Sequence, residues 1–211
     1  MSLHKQIFAT WTLAALLLTM RALADGPSTD GSTTATNRPA FKVSLRGGET
    51  VGTHQVERAF LNIGTNQIAF IVPGGFQMDA ANPEKIVLTE PTRGYFITVR
   101  VISLAESTSE TSSFKAAALD RYPGAKITQE TMAFVANHSG PAFDLEWLTS
   151  AGTAESARIH FIPSAAGILE FSVMARSADF KDARLYFDVL LASVQNNESG
   201  KLVIVPLPDF S

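Results

Sequence analysis

The chain has no cysteine in its 211 residues. Disulfides, zinc–thiolate centres, iron–sulfur clusters and a cysteine nucleophile are excluded with it. So is the lipid anchor of a bacterial lipoprotein, which needs a cysteine just behind the apolar leader. Positive charge is also scarce, with 17 Lys and Arg against 20 Asp and Glu and no basic cluster. Counterion release from phosphates has little to work with, so nucleic acid is not an expected partner, and neither is an anionic membrane surface. There is no G-x-S-x-G elbow, no G-x-x-x-x-G-K-[ST] loop and no H-E-x-x-H pair. No catalytic residue, cofactor or metal is therefore expected.

A long apolar run occurs at the start of the chain. Ile7–Met20 (IFATWTLAALLLTM) follows His4 and Lys5 and precedes Ala22-Leu23-Ala24, the order of a secretory signal peptide and its small-residue cleavage site. At about 1.5 Å per residue this run spans only about 21 Å, short of a hydrocarbon core of about 30 Å. Residues 1–24 are thus expected to be a cleaved leader that leaves no stable membrane anchor, and the protein to be exported to a periplasm or extracellular space. Lack of cysteine fits a bacterial periplasm better. The sequons at Asn137 and Asn197 would matter only in a eukaryote. Loss of Lys5 and Arg21 leaves 15 basic residues against 20 acidic ones, a net charge of −5.

Residues 25–39 (DGPSTDGSTTATNRP) carry no large apolar side chain and are expected to form a disordered linker. Residues 40–211 read as one domain. Strand-like runs occupy Phe41–Leu45, Val56–Ile63, Gln67–Val72, Lys85–Thr89 and Tyr95–Ser103, with Arg46–Glu49, Gly64–Asn66 and Pro73–Gly75 as turns. Ser109–Tyr122 reads as a helix stopped by Pro123-Gly124. A meander follows: Ala125–Ala136, Ala142–Thr149, Ser156–Ile162 and Gly167–Ala175, with turns at Ser139–Pro141, Ala151-Gly152 and Pro163–Ala166. Ala178–Asn196 is the clearest helix, capped by Ser177. Its apolar face comprises Phe180, Ala183, Phe187, Leu190, Leu191 and Val194. Lys201–Val205 reads as a last edge strand.

This element order resembles the PsbP-like family, founded on an extrinsic subunit of the oxygen-evolving photosystem and sharing its fold with a nuclear Ran-binding import factor. Ile68–Phe76 (IAFIVPGGF) looks like the family's opening strand, Arg121–Ile127 (RYPGAKI) like the exit from its first helix. Gly167–Val173 (GILEFSV) and Phe187–Val194 (FDVLLASV) look like its closing strand and helix. The resemblance implies an α+β fold, an antiparallel meander sandwiched by helices, and an accessory or binding role rather than an activity. It carries over no ligand residue.

Ser112–Lys115 satisfies S-x-x-K, but the K-T-G strand that penicillin-recognising enzymes add to it is missing. Alternation offers more. It sets Asp144 and Glu146 opposite Phe143, Leu145 and Trp147, Arg158 and His160 opposite Ile159 and Phe161, and Glu170 opposite Leu169 and Phe171. In a regular meander Asp144, Glu146, Arg158, His160 and Glu170 are then expected to share one face. That face reads either as a ladder of cross-strand ion pairs, each contributing about 0.2–1 kcal/mol, or as a polar binding surface or acid–base site around His160.

Three functions follow from these observations. The first is an exported, non-enzymatic accessory or binding protein whose partner is an envelope or secreted protein. The second is a small secreted hydrolase or other enzyme built on the five polar residues. The third is a structural or stress-protective envelope protein.

Overall fold

The computed structural model describes residues 42–197 except 52–53, 83, 103–110 and 166. The expected leader and linker, the strand at Lys201–Val205 and the helix start at Ser109 lie outside the described residues. Within them the chain is α+β, with every strand pair antiparallel.

The strands form two sheets where the sequence suggested one. The smaller has the order β1 (Lys42–Val51), β2 (His54–Ile63), β3 (Asn66–Val72), β11 (Gln195–Asn197). The larger runs β4 (Gln77–Asp79), β5 (Lys85–Glu90), β6 (Tyr95–Ile102), β10 (Gly167–Arg176), β9 (Ala154–Ser164), β8 (His138–Leu148), β7 (Lys126–Val135). The four-strand meander is therefore present, in the order β7 to β10, as one half of the larger sheet.

Three local expectations are corrected, each for a backbone reason. Arg46–Glu49 is no turn; β1 runs through it with a register shift between Arg46 and Glu49, a bulge at the paired glycines. Ser139–Pro141 lies inside β8. The hairpin turn comes earlier, at Ala136 and Asn137, whose φ values of 48° and 66° suit a two-residue type I′ turn. Gly140 serves close approach instead: a Cβ there would sit 1.8 Å from the Phe161 carbonyl oxygen. Finally, Ser177 does not cap the second helix. Its hydroxyl lies 2.8 Å from that of Ser156, and the N-cap position is Asp179, with no side-chain cap hydrogen bond.

Helices α1 (Thr111–Arg121) and α2 (Phe180–Ala192) cover opposite faces of the larger sheet. Phe114 and Ala118 of α1 pack on Phe143, Leu145, Ile159, Phe161 and Ile168. On the other face Ala183, Phe187 and Leu190 of α2 join Leu169, Phe171 and Val173 and the inner side of the smaller sheet, including Leu61, Ile68 and Phe70. The Ser193 hydroxyl fastens this side: it accepts from the Ile71 amide at 2.8 Å and donates to the Leu190 carbonyl at 2.7 Å. Both faces are buried along β10, which explains its run of seven buried residues.

Candidate functional site

Cross-strand partners share a face, so the register decides which polar side chains meet. Asp144 stands opposite Arg158, Ala142 opposite His160, Glu146 opposite Ser156, and Gln129 opposite Asp144. These residues occupy the α2 side, because His160 packs edge-on against Phe187 with ring centroids 5.2 Å apart. Together they form a polar shelf along the flank of α2 that rises from buried His160 to exposed Glu146.

Glu170 is not part of it. Its partner across β9 is Phe161, so its carboxylate points to the α1 side. The turn between β9 and β10 is the cause. Only residues 165 and 166 separate Ser164 from Gly167, and an even-length loop sets even-numbered residues opposite odd ones. The even-length turn read at Pro163–Ala166 carried that signal. The expected five-residue face is thereby corrected to a four-residue shelf and a separate carboxylate.

On the shelf, the Arg158 Nε lies 2.7 Å from Asp144 Oδ1, with each side chain 12% exposed. Asp144 also anchors the irregularity in β7, where its carbonyl accepts from the Thr128 hydroxyl at 3.3 Å beside the register shift. His160 is 6% exposed, and among the described residues neither of its ring nitrogens has a hydrogen-bond partner. A buried polar atom left in this state costs about 1–3 kcal/mol. Burial, then the nearby Arg158 and Arg184 guanidinia, push its pKa down to about 3, so it is neutral at ordinary pH. No sequence pattern marks Arg184, which sits on the flank of α2 next to buried Ala183, one turn before Phe187.

Under α1 the arrangement differs. Glu170, 2% exposed, accepts from Arg121 Nε at 3.2 Å on both carboxylate oxygens and has Arg100 Nε at 3.7 Å. Tyr122 closes the cluster, its pKa raised chiefly by burial against an opposing hydrogen bond with Ser172. Nearby, Lys115 of the S-x-x-K stretch is ion-paired to Glu130.

Among the described residues no three His, Asp or Glu side chains come together as a metal-binding group. No helix among them is long and apolar enough to cross a membrane.

No family model matches the chain, and no curated protein does. Solved structures do. The chain is similar to LpqN of Mycobacterium tuberculosis, described as involved in cell envelope biogenesis, at 13% identity and a TM-score of 0.46 over 74% of this chain and 91% of that one. It is similar to cyanobacterial PsbP from Synechocystis, at 11% identity and a TM-score of 0.43 over 80% and 99%. A Bacteroides thetaiotaomicron structure matches at 7% identity and a TM-score of 0.44 over 64% of this chain, which spans 46% of that protein's length. Cyanobacterial PsbP thus stands among the similar structures, in line with the resemblance in the sequence; the likeness is one of architecture and assigns no residue a role.

Proposed function

We propose that this chain is an exported, non-enzymatic binding module that presents the polar shelf beside α2 to a partner in the envelope or in the secreted fraction. The observation that carries this reading is the shelf's composition: a paired Asp144 and Arg158, an orphaned His160 and exposed Glu146 on one face at a helix flank. Such a grouping of buried and exposed polar groups is what a recognition surface needs. An acyl-transfer site would need a hydroxyl hydrogen-bonded to the imidazole. The Ser156 hydroxyl, opposite Glu146, bonds Ser177 instead.

Export rests on the order of charge, apolar run and small residues in Met1–Ala24. N-terminal sequencing of the protein recovered from its own envelope fraction is expected to begin at Asp25; recovery of the uncleaved chain in the cytosol contradicts export. For binding, a photo-crosslinking residue placed at Glu146 is expected to trap a partner that the same residue placed at Lys115, on the α1 side, does not. Identical products from both positions, or none from Glu146, would sink the assignment to the shelf.

A further inference from the structure

We propose that Arg184 and His160, backed by the Arg158–Asp144 pair, form a binding site for a carboxylate group, an inference that rests on the binding-module reading. A neutral imidazole carries one donor nitrogen and one acceptor nitrogen. Both nitrogens of His160 lack a hydrogen-bond partner among the described residues although the residue is 6% exposed. Buried polar groups in folded proteins are almost always satisfied, so an orphan of this kind points to a group supplied from outside.

Charge selects the ligand. Arg158 is neutralised by Asp144 at 2.7 Å. Arg184 has no ion pair or hydrogen bond among the described residues, and it stands one turn before Phe187, whose ring packs on His160 with centroids 5.2 Å apart. One positive charge is therefore left unmatched beside an N–H donor. A planar guanidinium offers parallel N–H groups that fit the two oxygens of a carboxylate, and the imidazole N–H can donate to the same group. A dianionic phosphate would bring more negative charge than the site balances, with Asp144 alongside and Glu146 on the same face. The Phe187 ring against His160 supplies an apolar wall on one side.

The test uses the full chain labelled with 15N-histidine, with acetate, inorganic phosphate and chloride titrated in turn at constant ionic strength. Acetate is expected to move the His160 ring resonances saturably, with phosphate weaker by roughly tenfold or more. Arg184→Gln should weaken acetate by roughly tenfold, and Arg184→Lys, which keeps the charge but not the fork, by less. Lys181→Gln removes an equal charge from an exposed position on the same helix and should leave the titration unchanged.

A short peptide with a free or an amidated C terminus separates the two sources of a carboxylate. Tighter binding of the free peptide than of acetate identifies a chain end, and equal binding a small organic acid; either supports the site. Absence of a saturable His160 shift, or an unaltered shift in both Arg184 variants, overturns it. If the Gln variant does not fold, the Lys variant decides. A partner crosslinked from Glu146 with no carboxylate response would leave the shelf as an interface and remove this site alone.

Discussion

The two faces of the larger sheet solve the same problem in different ways. Under α1, one buried carboxylate, Glu170, is shared by Arg121 and Arg100, with Tyr122 and Ser172 closing the group. Beside α2, Asp144 has a single guanidinium partner, and among the described residues the His160 ring nitrogens have no hydrogen-bond partner and Arg184 has no ion pair. The first cluster pairs its charges within the chain, although Arg100 Nε, 3.7 Å from the carboxylate, makes no hydrogen bond among the described residues, and it reads as architecture. The second holds donors that nothing in the described fold uses. Burying ionic groups is costly whether or not a ligand exists, so the informative difference is that the α1 side pairs each of its charges while the α2 side keeps an unpartnered imidazole beside a guanidinium with no carboxylate.

The largest effect expected from this contrast is in acid. A His160 pKa of about 3 in the fold, against an ordinary value of 6.5, means that the unfolded chain binds more protons between those limits. Stability is therefore full above about pH 6.5 and falls as the pH drops towards 3, by as much as about 4 kcal/mol. Urea denaturation at stepped pH measures this loss. His160→Leu should flatten the acid limb, and an unchanged limb would show that the imidazole is not held neutral.

Glu170→Gln should come next. It leaves two guanidinia facing a neutral amide and is expected to cost about 3 kcal/mol, towards the low end for a broken buried pair because both arginines reach solvent. Asp144→Asn should cost less, about 2 kcal/mol, because it leaves one guanidinium unpaired rather than two and the Asp144 side chain is itself more exposed than that of Glu170. If Asp144→Asn proved the more damaging, the α2 side would be the structural cluster and the comparison would be reversed. Glu146→Gln, on the shelf but exposed, should stay within about 0.5 kcal/mol. A larger loss would show that the shelf is braced along its whole length.

How much of this was legible in the sequence depended on the element. The apolar face of α2 was readable because helical spacing survives errors at its ends: Ala183, Phe187 and Leu190 are buried as the pattern required. Alternation likewise placed Asp144 and Glu146 opposite Phe143 and Leu145. What alternation does not supply is the phase between strands. Five residues separate Leu148 from Ala154, but two separate Ser164 from Gly167. One residue more or less in either loop moves a whole strand's side chains to the other face. Glu170 takes the opposite face for that reason. The division into two sheets was hidden too, since local pattern records strands and not the sheet they join. Arg184 carries no sequence signal, because a lone arginine on a helix flank looks like any solvated charge.

The most direct test of the central claim is ligand-dependent thermal unfolding of the wild-type chain, Glu170→Gln and Arg184→Gln, each in acetate and in chloride at equal ionic strength. A ligand that binds only the folded state raises its melting temperature. The predicted result is that acetate raises the melting temperature of the wild-type and Glu170→Gln proteins by the same amount and that of Arg184→Gln not at all. Stabilisation that survives Arg184→Gln and disappears in Glu170→Gln would place the open valence under α1 and contradict the account.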